Sequence, residues 1–299
     1  MIRPLVRSLR PTQWAKNLFV LAALVFGRLL ADRVAVAHAL VAVVAFCFVS
    51  STVYLINDLR DREEDRRHPL KRLRPIAAGT LSEPAAMAAA AVLGLSAFAI
   101  AAGLGLPFLL ILAGYLVLNL LYTVWLKHLV ILDVMSLSLG FVLRVLAGAE
   151  ATHVEVSRWL FLCTIFLALF LAFSKRRHEI TLLAGAAAEQ RKVLDHYSPA
   201  FLDQMINVVT ASSVVAYALY CVAEETVKKY HTQDLIFTIP LVLYGIFRYL
   251  YLMYQSPGAR NPTEAILRDP PFLINMALWG LAVVWIVYGA GSAHALGRP

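Results

Sequence analysis

Long apolar runs alternate with shorter polar segments along most of this chain. Each run is close to the roughly 20 residues that an α-helix needs to cross the hydrocarbon core of a bilayer. No strand-like alternation is present, and in lipid the backbone polar groups must be satisfied within helices. The sequence therefore predicts an all-α membrane protein, a bundle of nine transmembrane helices. The nine runs lie at about residues 18–31, 34–56, 85–106, 107–126, 129–149, 158–173, 207–223, 235–254 and 272–291.

Two stretches between the runs are long, polar and charged, at 57–84 and 174–206. Ser82-Glu83-Pro84 is typical of a helix start, and so is the segment that begins at Pro199. We therefore expect short helices within these two stretches. The whole chain, residues 1–299, is expected to form one transmembrane domain with the two stretches as its long loops.

The composition agrees with a membrane location. Hydrophobic residues make up 60% of the chain, charged residues 15%, and the mean hydropathy is +0.71. Soluble domains have about half their residues apolar and about a quarter charged. These values exclude a soluble globular enzyme, a coiled coil and a disordered chain. Cys47, Cys163 and Cys221 lie inside apolar runs without CxxC spacing, which favours small core residues over disulfides or metal ligands.

The positions of Lys and Arg predict the orientation in the membrane. A net charge of +8 would suggest nucleic acid for a soluble protein, but here it first indicates orientation, and no nucleic-acid partner is expected. If the loops alternate, 19 of the 27 Lys and Arg residues lie on the side of the N-terminus and both long loops. The positive-inside rule then places the N-terminus and the active site in the cytoplasm and the C-terminus outside the plasma (inner) membrane. A central cavity in the bundle should open to the cytoplasmic side.

The densest polar motif follows the second apolar run. If the helix continues, Asp58, Asp61 and Asp65 lie on one face, at positions i, i+3 and i+7. Aligned carboxylates repel one another unless cations lie between them, and Mg²⁺ binds one or two carboxylates together with waters and substrate phosphates. The motif predicts a magnesium site. The alternative is a solvated acidic helix end that neighbouring arginines balance.

Basic side chains near this acidic face predict phosphate binding. Arginine in particular can bind anionic oxygens with two parallel hydrogen bonds. The basic loop at 68–79 can bind anionic oxygens, and the cluster at 175–178 favours a substrate with more than one phosphate. Topology signals and lipid headgroup contacts are the alternatives. The residues concerned are Arg66, Lys71, Arg72, Arg74, Lys175, Arg176, Arg177 and His178.

Polar residues also lie within the apolar runs. Asp133, Ser136, Gly140 and Arg144 recur on one face of the fifth run. Ionisable groups at membrane depth are functional by default and should face a cavity, with a structural pair to a neighbouring helix as the alternative. No Ser/His/Asp triad and no Walker or Rossmann glycine pattern is present. Further candidates at predicted helix ends are Lys16, Asn17, Asn57, Tyr122 and Lys127.

Together these motifs resemble the UbiA superfamily of intramembrane prenyltransferases. The motif Asn57-Asp58-x-x-Asp61-x-x-x-Asp65 at the end of the second span is similar to the first acidic motif of that superfamily. Aromatic prenyltransferases of the superfamily have a second DxxxD motif, where this chain has SKRRHE at 174–179 with a single carboxylate. The combination more narrowly resembles the decaprenyl-phosphate phosphoribosyltransferase branch, in the segments 10–17, 54–79, 122–149, 174–179 and 197–205.

The resemblance implies transfer of 5-phosphoribose from phosphoribosyl pyrophosphate (PRPP) to a polyprenyl (decaprenyl) phosphate, with release of pyrophosphate. The product would supply the arabinose donor for cell-wall arabinan. Mg²⁺ is the implied cofactor, and a homo-oligomer is left open. An aromatic prenyltransferase that uses a prenyl diphosphate is the alternative enzyme, and a membrane lipid or anion transporter is the alternative from another class.

The same resemblance assigns roles to individual residues. The implied metal ligands are Asp58, Asp61 and Asp65. The implied catalytic residues are Asp58, Asp61, Tyr122, Lys127 and Asp133. The implied substrate-binding residues are Lys16, Asn17, Asn57, Arg66, Lys71, Arg72, Arg74, Arg144, Lys175, Arg176, Arg177 and His178.

Overall fold

A computed structural model describes residues 2–67, 71–183, 196–255 and 268–295, with the side chains of the last helix described up to residue 289. The described residues form helices and turns, without a strand. The chain divides into two compact units, Met1–Val156 and Ser157–Pro299.

The described residues of the first unit form seven α-helices and three 3₁₀ segments. The α-helices are α1 (Ile2–Leu9), α2 (Ala22–Phe26), α3 (Arg33–Arg60), α4 (Arg62–Arg67), α5 (Glu83–Leu104), α6 (Leu106–Val124) and α7 (Leu132–Thr152). The 3₁₀ segments are Pro11–Leu21, Lys71–Leu73 and Leu126–His128.

The described residues of the second unit include five α-helices and the 3₁₀ segment before the fourth of them. The α-helices are α8 (Arg158–Leu183), α9 (Pro199–Val222), α10 (Glu224–Tyr230), α11 (Ile239–Gln255) and α12 (Pro270–Ala295). The 3₁₀ segment is Asp234–Thr238 and leads directly into α11. Helices start at Glu83 and Pro199 as predicted, but these are the long helices α5 and α9 and not the short loop helices that we expected.

Eight helical segments of the described chain are long and apolar enough to cross a membrane. They correspond to eight of the nine predicted runs, which confirms the all-α membrane fold. The run at 18–31 is not among them, so the predicted count of nine is not confirmed. The eight segments are α3, α5, α6, α7, α8, α9, α11 with its preceding 3₁₀ turn, and α12.

The region of the missing span has a different helical geometry. Its 11 residues Pro11–Leu21 form a 3₁₀ helix and its next 5, Ala22–Phe26, form α2. At about 2.0 Å per residue in the 3₁₀ helix and 1.5 Å in the α-helix, these residues reach about 30 Å, the thickness of the hydrocarbon core. Sixteen α-helical residues would reach only about 24 Å.

This 3₁₀ segment lies antiparallel along α3. As its residue numbers rise, those of its partners in α3 fall. The 3₁₀ repeat of three residues places Trp14, Asn17 and Val20 on one face, and Asn17 and Val20 are fully buried. The contacts run from Arg10 with Asp58, through Trp14 with Ser51 and Asn17 with Cys47, to Leu24 in one cluster with Ala35 and Ala39.

The 3₁₀ segment also packs closely on α7 at Gly148. A Cβ atom added to Gly148 would lie 1.8 Å from the carbonyl oxygen of Val20. Only glycine therefore permits this approach of backbone to backbone. The contact fixes the 3₁₀ segment between α3 and α7, next to the candidate site.

The two long loops are more helical than the sequence indicates. α3 continues to Arg60 and is followed at once by α4, and α8 continues to Leu183, so that 174–179 are helical. Lys, Arg and Glu are good helix formers, and Glu179 pairs with Lys175 and Arg176 along the same helix, which explains the extension. Residues 184–195 of the predicted loop lie outside the described part of the chain.

A side-chain cap and an ion pair define the start of α12. Asp269 accepts a hydrogen bond from the Phe272 backbone N–H at 2.8 Å and pairs with both Nε and Nη2 of Arg248, at 3.0 and 2.7 Å. The hydrogen bond from Arg248 holds the pKa of Asp269 below its ordinary value. The pair joins α11 to the start of α12 within the second unit.

Candidate active site

The three predicted aspartates lie at the junction of α3 and α4. Asp61 is the C-cap of α3, yet the Asp61 N–H donates to the Asn57 carbonyl at 2.9 Å and the Asp65 N–H donates to the Asp61 carbonyl at 2.8 Å. The helical hydrogen-bond pattern therefore continues through the junction. The side chains of Asp58 and Asp65 are only 2% and 3% exposed, and that of Asp61 is 12% exposed.

Each of these carboxylates pairs with a cation from another segment. Arg10 Nη2 lies 2.5 Å from Asp58 Oδ1, and Lys127 Nζ lies 2.9 Å from Asp61 Oδ1. Arg74 Nη1 contacts two carboxylates, Asp58 Oδ1 at 3.1 Å and Asp65 Oδ2 at 2.6 Å. The described site thus contains three carboxylates and three cations.

The nearby cations affect the pKa of Asp65. Burial raises the pKa of the Asp65 carboxyl, and the nearby charges of Arg74 and Lys71 oppose that rise. Asp65 lies in α4, beyond the membrane-spanning part of α3. Its ionised form therefore depends on the basic turn that contains Lys71 and Arg74.

The end of α6 contributes polar groups to the same region. Thr123 Oγ1 donates a hydrogen bond to Asn57 Oδ1 at 3.3 Å. Tyr122 precedes Thr123 and is half-buried, and Lys127 follows in the 3₁₀ turn Leu126–His128. The structure thus brings Asn57 and Lys127, predicted from separate motifs, to the same end of the first unit.

Arg144 lies deeper, in the middle of α7, and is 5% exposed. Its guanidinium donates to Asn17 Oδ1 at 2.8 Å, to the Gly140 carbonyl at 2.7 Å and to the Tyr115 hydroxyl at 2.8 Å. It also stacks over the Tyr115 ring, with 4.7 Å between Cζ and the ring centroid. These acceptors are all neutral, so none of them balances the positive charge of Arg144.

The remaining predicted residues of the first unit differ in exposure. Asp133 is fully buried in the first turn of α7. Lys16 and Lys71 are half-buried, whereas Arg66 and Arg72 are exposed. Arg66 donates to the Ala77 carbonyl and pairs with Glu63, so it supports the turn after α4 without contacting the three aspartates.

The residues of the predicted basic cluster of the second unit differ in burial and in their partners. Arg176 is fully buried and pairs with Glu179, while Arg177 pairs with Asp203 of α9 at 2.8 Å. Lys175 is half-exposed and His178 is buried. A pocket nearby is lined by Ser174, Arg177, His178, Thr181, Ile206, Leu250, Met253 and Tyr254.

Three residues that contact the site were not among the predicted site residues: Arg10, Tyr115 and Thr123. Arg10 and Tyr115 contact Asp58 and Arg144 across 48 and 29 positions of the chain. Arg10 gives a sequence signal, because it is the first residue of the polar segment 10–17 near the N-terminus. In the structure it adopts a left-handed conformation with φ of 54°. That conformation turns the chain from α1 into the 3₁₀ segment. Tyr115 gives no such signal, since it is one tyrosine in an apolar helix.

The carboxylates suit a magnesium ion that also binds a substrate phosphate. Among the described residues, no three His, Cys, Asp or Glu side chains come together closely enough to hold a metal ion. Mg²⁺ needs fewer protein ligands, because it commonly binds one or two carboxylates, several waters and substrate phosphates. The ion pairs use Oδ1 of Asp58, Oδ1 of Asp61 and Oδ2 of Asp65, so the second oxygen of each carboxylate lies outside these pairs. This donor set fits Mg²⁺ in chemical type.

Known proteins similar to this chain share its length and its fold. The model of the UbiA prenyltransferase family matches residues 17–265. The decaprenyl-phosphate phosphoribosyltransferase of Mycolicibacterium smegmatis is 34% identical over 93% of this chain and 91% of its own. The enzyme of the same name from Corynebacterium glutamicum is 35% identical over 95% and 86%. The structure of a UbiA homolog from Archaeoglobus fulgidus bound to DMAPP and Mg²⁺ has a TM-score of 0.71 at 21% identity, over 95% of this chain and 99% of that one.

Proposed function

Because the chain belongs to the UbiA prenyltransferase family, we propose that it transfers 5-phosphoribose from PRPP to decaprenyl phosphate and releases pyrophosphate. The observation that supports this function is the similarity to decaprenyl-phosphate phosphoribosyltransferases along almost the whole chain. The product supplies the arabinose donor for cell-wall arabinan. The enzyme is thus a membrane-embedded phosphoribosyltransferase.

The proposed reaction exchanges one bond at the anomeric carbon of PRPP. The bond to the diphosphate oxygen breaks, and a bond to an oxygen of the lipid phosphate forms. That oxygen is anionic at neutral pH, so no side chain has to remove a proton from the nucleophile. The protein mainly has to stabilise the charge that develops on the leaving pyrophosphate.

The cations around the aspartates suit that task. Arg10, Arg74 and Lys127 all lie within hydrogen-bond distance of the aspartate carboxylates. From these positions they can donate to diphosphate oxygens, and arginine can do so with two parallel bonds. Asp58 and Asp61 would hold Mg²⁺, which would supply positive charge to the leaving pyrophosphate.

We assign the lipid phosphate to the region of Arg144. A buried guanidinium with neutral partners attracts an anion, and three of its five N–H groups are used by Asn17, Gly140 and Tyr115. The prenyl tail would then lie along the apolar helices. Asp65 as a metal ligand, Tyr122 and Asp133 as catalytic residues, and the remaining basic residues as phosphate ligands stay predictions at this stage.

The orientation belongs to the same proposal. The excess of Lys and Arg on one side supports a plasma (inner) membrane enzyme whose N-terminus and active site face the cytoplasm, where PRPP is available. The C-terminus would then lie outside. The last residues, 296–299, fall outside the described part of the chain.

Radiolabelled PRPP tests the function directly. Purified full-length protein with Mg²⁺ and decaprenyl phosphate should form a labelled lipid, and it should not transfer a prenyl group from a prenyl diphosphate to an aromatic acceptor. Absence of the lipid product together with prenyl transfer would select the aromatic prenyltransferase instead. Absence of both reactions would favour the transporter.

Matched variants test the site. Asp58→Asn and Asp61→Asn should each lower the rate by about 100-fold or more, because each removes a charge next to the leaving group. Glu64→Gln is the control, since Glu64 is an exposed acidic residue of α4. Near wild-type rates in both aspartate variants would refute the metal assignment.

A further inference from the structure

Arg74 bridges two of the aspartates with a single nitrogen. Its Nη1 lies 3.1 Å from Asp58 Oδ1 and 2.6 Å from Asp65 Oδ2. A magnesium ion on the second oxygens of these carboxylates would draw on the same two negative charges as the guanidinium. Binding of one cation therefore weakens binding of the other.

The three carboxylates and the three cations paired with them balance in charge without a metal, and Lys71 adds a further positive charge near Asp65. Three carboxylates face Arg10, Arg74 and Lys127, and the side chains of Asp58 and Asp65 are only 2% and 3% exposed. A divalent cation added to this set would leave two uncompensated positive charges in a buried place, which is unfavourable. A metal that arrives bound to a diphosphate avoids this cost, because the diphosphate carries the compensating negative charge.

Arg74 also lies partly at the surface, where a guanidinium can change partners. Its side chain is 27% exposed, more than those of the two aspartates that it bridges, and it follows the short 3₁₀ segment Lys71–Leu73. A guanidinium displaced from two carboxylates can form equivalent paired hydrogen bonds with phosphate oxygens. The exchange keeps Arg74 neutralised in both states.

We propose that Arg74 is an exchangeable counter-ion of the metal site. It bridges Asp58 and Asp65 in the metal-free enzyme, disfavours a divalent ion that arrives alone, and transfers to the diphosphate of the donor when metal and donor bind together. Metal and diphosphate consequently bind with positive cooperativity, which is reciprocal between the two ligands. The identity of the diphosphate rests on the proposed function, whereas the exclusion of a bare metal ion does not.

Mn²⁺ serves as the probe, because it prefers the same oxygen ligands as Mg²⁺ and its bound fraction can be measured by equilibrium dialysis and paramagnetic resonance. The full-length protein is compared with Arg74→Gln, Arg74→Lys and the control Arg62→Gln. Arg62 contacts Glu63 and Glu83 instead of the aspartates. Arg74→Gln should bind Mn²⁺ alone at least about fivefold more tightly than wild type. Arg74→Lys, which keeps the cation, and Arg62→Gln should both stay within about twofold of wild type, far below a typical coupling effect.

A second measurement uses wild type alone. Inorganic pyrophosphate should raise the affinity of wild-type protein for Mn²⁺ at least about fivefold, as a coupling between two sites requires. Equal Mn²⁺ affinity with and without pyrophosphate would overturn the proposal even if Arg74→Gln failed to fold. Unchanged or weaker Mn²⁺ binding by folded Arg74→Gln would overturn it as well. A failure of the proposed function shows separately, as absent transfer from PRPP with the Mn²⁺ results intact.

Discussion

At the scale of single residues, Lys127 and Asp61 form the ion pair that connects two helix junctions of the first unit. Their side chains are 6% and 12% exposed, and Nζ lies 2.9 Å from Oδ1. Removing one member of such a pair leaves an unpaired charge in a place that water hardly reaches. Removing both members leaves none, so the two changes should compensate each other.

We therefore expect Lys127→Met and Asp61→Asn each to lower the free energy of unfolding by about 3 kcal/mol, and the double variant to recover most of that loss. All three should lose transferase activity. Thermal and denaturant unfolding of purified protein measure the stability cycle. Lys228→Met is the control, because it breaks an exposed pair with Glu224 and should cost less than about 1 kcal/mol. A double variant that shows the sum of the two single losses would contradict the pairing.

The sequence predicted which residues belong to this site, but it did not predict which of them contact one another. Spacing along one helix was enough to single out Asp58, Asp61 and Asp65, and charge type was enough to single out Lys127 and Arg74. Which cation contacts which carboxylate depends on the turn after α4 and on the left-handed conformation at Arg10. These contacts form only when the chain folds, and the periodicity of the sequence does not indicate them.

At the scale of secondary-structure elements, the 3₁₀ segment Pro11–Leu21 is a feature that hydropathy predicts only in part. Hydropathy detects an apolar stretch, but α and 3₁₀ helices have almost the same composition. The distinction arises from packing, because the segment has to follow the length of α3 and also lie against α7. Gly148 is where this packing is tightest.

Gly148→Ala should consequently prevent the contact between α7 and the 3₁₀ segment. The added methyl group meets backbone instead of a flexible side chain, so we expect a loss of at least about 3 kcal/mol, the upper end of the usual cost of overpacking. The fraction of monodisperse protein and its thermal midpoint in detergent measure the effect. Gly114→Ala in α6 is the matched control, since a Cβ there meets no atom within 4 Å. Equal stability of the two variants would show that the segment can shift at little cost.

At the scale of the whole molecule, composition and run length were sufficient for the all-α membrane fold, because the cost of exposing polar backbone to lipid leaves few other structures. The division into Met1–Val156 and Ser157–Pro299 was not predicted. It depends on which helices contact which, and apolar helices of similar composition give no indication of that. The orientation in the membrane, by contrast, could be predicted, because it follows from the charges between the helices.

Within the first unit, the helix ends alternate between two sides. The acidic site and the turn at 71–80 lie at one end of α3, and the segment 153–157 follows the opposite end of α7. We expect a membrane-impermeant maleimide to label Glu155→Cys in intact spheroplasts and Ala78→Cys only after lysis, in a background without Cys47, Cys163 and Cys221. Both positions are exposed, so a difference in labelling reports the side of the membrane and not burial. The cysteine-free protein, checked for retained transfer from PRPP, is the control. The reverse pattern would place the aspartates outside the cell, where the observed excess of Lys and Arg would contradict the positive-inside rule.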